Sequence, residues 1–388
     1  MTPASALRGP VMCVVGARPN FMKMAPLLRA FAAHQPPLPA LLVHTGQHYD
    51  ASMSDKLFAD LRLPTPDINL GVGSGSHAVQ TAEVMKRFEP ALDEHKPSCV
   101  LVVGDVNSTL ACALVATKKD IPVVHVEAGL RSRDRRMPEE INRVLTDQIS
   151  DRLYTTERSA SVNLQQEGIG AERVCFVGNV MIDSLLDNRE SARTAAATLA
   201  AHGVDPFLLQ GASGYGVVTL HRPSNVDDAT TLRPLLQVLV EISRRLPLVF
   251  AMHPRTRSNI ERFGLAPLLQ GGAIVVLPPQ GYLEMVGLMK DATLVLTDSG
   301  GLQEETTALG VPCLTLRENT ERPITVEQGT NTMVGGDLNA IRHGVGEVLA
   351  GRGKIGRIPE FWDGRASGRI AADLYTWLCA QPVHGAPA

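Results

Sequence analysis

Short apolar runs alternate with amphipathic stretches along nearly all of this chain, which is the pattern of βαβ units and a parallel sheet. In the first half the runs are Val11 to Val15, Ala40 to Val43, Cys99 to Val103, Pro122 to Val126 and Arg173 to Val177. In the second they are Gly216 to Leu220, Leu248 to Ala251, Ala273 to Leu277, Thr293 to Leu296 and Pro312 to Leu316. Each half can build its own doubly wound sheet, so the expected fold class is α/β with two Rossmann-like domains. The pattern is weakest from Ser191 to Ser213, an Ala-rich stretch read as a helix that runs into the loop-like Gln210-Gly211-Ala212-Ser213-Gly214. A hinge near residue 180 gives an N-terminal domain over 1–180 and a C-terminal domain over 181–363. A last amphipathic helix, about 364–380, can pack back on the first domain.

Composition narrows the class. A chain of 388 residues is too long for one compact core and fits two ordinary domains. A net charge of -3 with a pI near 6.4 argues against non-specific nucleic-acid binding, which needs a basic surface. No apolar run reaches the about 18 residues of a bilayer span, and Arg18 interrupts the only stretch near the N-terminus that resembles a leader. A cytoplasmic enzyme is the expectation. The six cysteines include no Cys-x-x-Cys pair, and the eleven histidines show no His-Glu-x-x-His spacing, so neither a disulfide framework nor a metal site is expected.

Candidate chemistry sits directly after the apolar runs, where ligands bind in open parallel sheets. The strongest case is Thr297-Asp298-Ser299-Gly300-Gly301-Leu302-Gln303-Glu304-Glu305. Two glycines at a strand-to-helix turn let N–H groups approach an anion closely, and the helix start beyond adds positive potential. Glu305 falls about one turn into that helix, where an acid can accept both hydroxyls of a ribose. The plainer alternative is that Ser299 caps the helix and the glycines turn the chain. Leu314-Thr315-Leu316 leads toward Arg322, a planar fork suited to phosphate. Arg18 and Lys23 follow the first run, as a diphosphate clamp or as solvated charge. Asp105 and Glu127 end successive runs one βα repeat apart, so two carboxylates can face one cleft. Alternatively, Asp105 caps the helix from Asn107 and Glu127 pairs with Arg131. Pro138-Glu139-Glu140 opens a helix with acids in its first turn. His221 directly follows the first run of the second domain. Gly71-Val72-Gly73 lacks the third glycine of a dinucleotide fingerprint, and no phosphate-loop motif is present.

Taken in order, Gly16-Ala17-Arg18-Pro19, Thr45-Gly46-Gln47-His48, Gly104-Asp105, Glu127-Ala128-Gly129-Leu130-Arg131, Pro138-Glu139-Glu140-Ile141-Asn142-Arg143, Gly178-Asn179, His221-Arg222, His253-Pro254 and Asp298-Ser299-Gly300-Gly301 resemble the non-hydrolysing UDP-N-acetylglucosamine 2-epimerases. The resemblance covers roughly residues 11 to 350. It implies two domains of the glycosyltransferase-B type with the active site in the interdomain cleft, and no cofactor. It implies interconversion of UDP-N-acetylglucosamine and UDP-N-acetylmannosamine, with a homodimer expected. By motif, it implies nucleotide-binding roles for Arg18, Lys23, Gln280, Met285, Ser299, Gly300, Gly301, Glu305 and Arg322. It implies a catalytic set of Asp105, Glu127, Glu139 and His221.

The implied chemistry is elimination. The C2 proton is not acidic, and transient oxidation would need an NAD site for which no convincing motif exists. A base removes the C2 proton as UDP leaves C1, and re-addition with protonation of the opposite face inverts C2. The chain departs from regulated relatives at His221-Arg222-Pro223-Ser224-Asn225, at Tyr49-Asp50 after Gln47-His48, and in the short stretch between Arg131 and Pro138. These departures put substrate-dependent activation in doubt. A 2-epimerase of a modified sugar such as a diacetamido uronic acid would share nearly every motif. A hydrolysing epimerase, a glycosyltransferase of the same fold and a non-catalytic sensor are the remaining alternatives.

Overall fold

The protein is described from a computed structural model covering residues 9–46, 57–209 and 213–381. Gln47-His48 and Tyr49-Asp50, and the loop residues 210–212, lie outside the described residues. The chain divides into two compact units, Met1–Ser184 with Glu360–Ala388, and Leu185–Pro359.

The first unit is built on seven parallel strands: β1 (Val11–Val15), β2 (Ala40–His44), β3 (Ile68–Asn69), β4 (Cys99–Val103), β5 (Val123–Ala128), β6 (Arg152–Thr155) and β7 (Val174–Phe176), in the order β3-β2-β1-β4-β5-β6-β7. β1 and β4 are buried along their whole length, which is why they read as unbroken apolar runs. The helix Arg18–Ala33 packs against the last helix, Ala366–Ala380. That last helix is anchored at its start by Asp183, whose buried carboxylate accepts the N–H groups of Ala366 (3.1 Å) and Ser367 (2.7 Å). Just before it, the Trp362 indole N–H donates to the Thr156 carbonyl at 3.2 Å.

The second unit carries six parallel strands: β8 (Gly216–Thr219), β9 (Leu248–Ala251), β10 (Ile274–Leu277), β11 (Leu294–Thr297), β12 (Cys313–Thr315) and β13 (Asn331–Met333), in the order β10-β9-β8-β11-β12-β13. Its core joins Val218, Leu236, Phe250, Leu296 and Leu314 with residues of the covering helices. The Ala-rich stretch forms a helix over Ala195–Ala201 and a 3-10 turn over Pro206–Leu209. Gly287 permits the chain before that helix to approach closely, since a Cβ there would lie 1.5 Å from the Arg193 carbonyl oxygen.

Strands β3, β6 and β13 carry no apolar run. β3 has two residues. β6 opens on Arg152, whose charge is met by Asp373 of the last helix, with Nε to Oδ2 at 2.8 Å. β13 opens on Asn331, buried and satisfied by Gln303 Oε1 and Thr325 Oγ1, both at 3.1 Å. Both sheets reverse direction of build between their first and fourth strands, β1/β4 and β8/β11, which is the switch point where such sheets bind ligands. Among the described residues no helix is long and apolar enough to cross a membrane.

Candidate functional site

In the first unit the site grows from the β1/β4 switch. Beyond Val15 the chain turns into the helix Arg18–Ala33, with Pro19 in its first turn. Asn20 organises this turn. Its Oδ1 accepts the N–H groups of Gly16 (3.1 Å) and Ala17 (3.0 Å), and its Nδ2 donates to the Val103 carbonyl at the end of β4 (3.0 Å). Arg18 starts the helix, half-buried. Lys23, one turn on, is buried, and its Nζ lies 2.6 Å from Glu127 Oε1 at the end of β5. The close approach offsets the burial of two polar ends, either of which alone would be strongly disfavoured away from water.

The backbone is shaped to allow this pair. Gly104 has φ +67°, and a Cβ there would lie 3.1 Å from Lys23 Nζ and 3.7 Å from Glu127 Oε1. Glu127 itself has φ 71°, a left-handed conformation uncommon for a non-glycine residue, at the point where the β5 and β6 register shifts. Backbone outliers of this kind cluster at functional sites.

Asp105 follows Gly104 and pairs with Arg143 Nη2. Arg143 Nη1 also binds Glu140 Oε2 at 2.5 Å. Glu140 in turn accepts the N–H groups of Ser132 (2.9 Å) and Arg133 (2.8 Å). Burial alone would raise the Glu140 carboxyl, but these N–H groups and Arg143 hold it below the usual carboxylate range. Of the two acids that open the helix Pro138–Ile149, Glu140 therefore folds the loop, while Glu139 stands half-buried in the first turn. Neither plainer alternative holds for the two strand-end acids. The helix Asn107–Lys118 has Val106 at its N-cap with no side-chain cap, and Arg131 binds Asp147 (2.7 Å) and Glu167 (Nε to Oε1, 2.8 Å) instead of Glu127.

In the second unit the matching switch lies between β8 and β11. Asp298, fully buried after β11, accepts the backbone N–H of His221 (3.0 Å) and of Arg222 (2.9 Å), the Asn225 Nδ2 (3.1 Å) and the His221 Nδ1 (2.7 Å). Burial alone would raise its carboxyl, but the His221 ring, then the two backbone N–H groups, hold it below the usual carboxylate range. The bond from Nδ1 leaves the other ring nitrogen, Nε2, as the outer one. His221 is half-buried and its ring lies 5.6 Å from that of His253.

Ser299 is the N-cap of the helix Gly300–Leu309, yet its side chain makes no capping bond. At Gly300 a Cβ would lie 2.6 Å from Glu321 Oε1, so a larger residue would require that carboxylate to shift. Gly301 opens the same helix, and Glu305 lies buried one turn into it. Tyr282 lies against that acid; burial, then the negative charge of Glu305, pushes its phenol well up. Arg322 is buried with its Nε 2.7 Å from Glu304 Oε1. Gln280 Nε2 donates to the Pro278 carbonyl at 2.7 Å and lies 3.2 Å from His202 Nε2. Met285 packs against the apolar cluster that includes Ala195 and Leu288.

A family model described as UDP-N-acetylglucosamine 2-epimerase matches residues 32–375. The chain belongs to the UDP-N-acetylglucosamine 2-epimerase family. A UDP-N-acetylglucosamine 2-epimerase of Methanococcus maripaludis is 41% identical over 87% of this chain and 90% of the relative. A Pseudomonas aeruginosa relative named UDP-2,3-diacetamido-2,3-dideoxy-D-glucuronate 2-epimerase is also 41% identical, over 94% of this chain and 99% of its own. The crystal structure of Methanocaldococcus jannaschii UDP-GlcNAc 2-epimerase in complex with UDP-GlcNAc and UDP superposes with a TM-score of 0.84 at 39% identity, covering 95% of this chain and 99% of that one. The two-sheet glycosyltransferase-B type fold is shared with it.

Within this member of the epimerase family, three residues at the site carry no role in the sequence reading. Asn20 joins two strand ends, Asp298 orients His221, and Asp147 receives His125 and Arg131. Asp298 stood inside a recognised motif, but nothing in its neighbours announces a histidine bound from another strand.

Proposed function

We propose that this chain epimerises a UDP-2-acetamido sugar at C2 by eliminating and re-adding UDP, with UDP-N-acetylglucosamine and UDP-N-acetylmannosamine as the interconverting pair. The observation that carries the reading is the buried Asp298 carboxylate bound to His221 immediately before the Ser299-Gly300-Gly301 turn. It supplies an imidazole that can take positive charge next to a turn suited to a diphosphate. The electron pair of the breaking C2–H bond forms the C1–C2 double bond of a glycal, and UDP leaves with the C1–O pair. In the return step a proton adds to the opposite face of C2 and UDP re-attacks C1. No oxidant is consumed and no cofactor is required.

Asp105, Glu127 and Glu139 divide the proton transfers in this proposal, while His221 and Arg18 stabilise the departing diphosphate. Lys23, Gln280, Met285, Ser299, Gly300, Gly301 and Arg322 hold UDP, and Glu305 accepts the ribose hydroxyls. Tight UDP retention is what separates an epimerase from a hydrolase. The proposed setting is cytoplasmic, supplying precursors for a surface polysaccharide. A homodimer is proposed too, which sedimentation at micromolar concentration would test.

A second substrate reading is favoured by one observation: the relative named for a diacetamido uronate is as similar as the Methanococcus maripaludis enzyme. Proton NMR in heavy water with each UDP-sugar decides between them. Deuterium uptake at C2 with appearance of the second UDP-sugar is expected. Free N-acetylmannosamine in place of a UDP-sugar would overturn the non-hydrolysing reading. Exchange only with the diacetamido uronate would reassign the substrate.

A further inference from the structure

Behind the Asp105 and Glu127 strand ends lies a polar cluster, fully buried at His125 and Asp147, that the proposed chemistry does not use. His125, in β5, is fully buried. Its Nε2 lies 2.8 Å from the Gly104 carbonyl oxygen and its Nδ1 lies 2.7 Å from Asp147 Oδ1. Asp147, on the helix Pro138–Ile149, is equally buried, and its Oδ2 takes the Gly129 N–H (3.1 Å) and Arg131 Nη1 (2.7 Å). Arg131 continues into Glu167 through Nε at 2.8 Å.

Counting hydrogens decides the state of the ring. A carbonyl oxygen only accepts, so Nε2 must carry hydrogen. The Nδ1 contact then needs one more hydrogen, on the ring or on Asp147. Arg131 and the Gly129 N–H both point at the second Asp147 oxygen and favour the carboxylate form, which places that hydrogen on Nδ1. Arg131 is in turn balanced by the partly exposed Glu167, so its charge does not call for a second proton on Asp147.

We infer that His125 is a positioning residue for the proposed C2 chemistry, holding the β4 and β5 ends in register as an imidazole with hydrogen on both nitrogens, fixed by Asp147. The inference rests on the catalytic reading of Asp105 and Glu127. His125 bonds the carbonyl of Gly104, the residue before Asp105. Asp147 bonds the N–H of Gly129, two residues after Glu127. Between these two bonds stands the left-handed backbone of Glu127. Gly129 has no latitude either, for a Cβ there would lie 2.4 Å from the Ala160 carbonyl oxygen. The network therefore sets the placement of both carboxylates, and misplacement on the scale of 1 Å costs about a hundred-fold in rate.

The test has two independent arms. In the first, the full chain labelled with 15N-histidine is examined by NMR, with Asp147→Asn used to assign the His125 ring. Two slowly exchanging ring N–H signals with imidazolium-type nitrogen shifts are expected. A ring nitrogen without hydrogen would overturn the proposed state. In the second, Asp147→Asn is assayed for C2 exchange and for UDP binding by calorimetry. A fall in kcat of about ten-fold or more, with the Kd for UDP within about two-fold of the parent, is expected. Parental kcat would overturn the positioning role. Equal loss of UDP binding and kcat, together with a lowered Tm, would overturn the positioning role and mark a merely structural one. If the parent chain itself shows no C2 exchange, the proposed function fails while the ring state is still read from the first arm.

Discussion

Asp298→Asn separates the electrostatic role of Asp298 from its shape. The carboxylate receives the His221 ring on Oδ1 and the Arg222 N–H and Asn225 amide on Oδ2, with the His221 N–H between them. An amide retains one accepting oxygen, which satisfies most donors if it takes the Oδ2 position. Its NH2 then meets His221 Nδ1, so the ring must accept there and carry its hydrogen on Nε2. The imidazole remains, in the inverted tautomer and without a buried anion to support positive charge. One charge-assisted bond at a fully buried site is lost, worth about 2 kcal/mol. The rate should fall about a hundred-fold, at the lower end of what a positioned acid or base contributes.

The assays are urea unfolding and C2 deuterium exchange. At pH 7 the variant should unfold about 2 kcal/mol more easily. The pH dependence carries a sign that geometry alone does not. The folded Asp298 carboxyl is held low, so its stabilisation is present above the unfolded value of about 3.9 and is lost as pH falls through the folded value. Asparagine does not titrate, so the stability gap between parent and variant should narrow below about pH 4. A gap that is absent at pH 7, or that persists unchanged in acid, refutes the argument that the charge matters. Parental exchange rates would remove the Asp298–His221 couple from the mechanism.

Three further outcomes follow from the packing. Lys23→Met leaves Glu127 buried without its ammonium and should cost about 3 kcal/mol, much of it recovered when Glu127→Gln is added; a coupling near zero in that double-mutant cycle would mean the 2.6 Å pair contributes nothing. Asp183→Ala removes the acceptor for the first two N–H groups of the helix Ala366–Ala380 and should cost about 1 kcal/mol, with faster amide exchange in that helix; unchanged protection there would count against the anchor. Gly287→Ala, whose Cβ would meet the Arg193 carbonyl at 1.5 Å, should lower Tm, whereas Gly346→Ala, with nothing within 4 Å and a helical position, should raise stability by about 0.5 kcal/mol. Equal shifts in the two would refute the steric account.

The sheets were legible to the extent that burial was apolar. β1 and β4 are covered throughout and contain nothing polar, and β11, equally buried, has only Thr297 at its end, so little dilutes the signal. β6 and β13 are just as much part of the sheets, but Arg152 of β6 is satisfied by Asp373, far away in sequence, and Asn331 of β13 by Gln303 and Thr325 from other elements, and a one-dimensional hydrophobic pattern registers neither kind of partner. The same limit governs the site. Strand-end position marks which residues have the opportunity to act, because the chain must leave the sheet there and its backbone is free to shape a turn. Partnership is decided by the order of strands. β5 lies next to β4 and not beside β1, yet Lys23, one turn into the helix after β1, reaches Glu127 across the residue that lacks a side chain, Gly104. Read alone, Lys23 is one cation suited to a diphosphate; with Glu127 it is also the counter-charge of a proposed base. Lys23→Met removes both functions at once, so weaker UDP binding and a less stable fold are expected together in that variant.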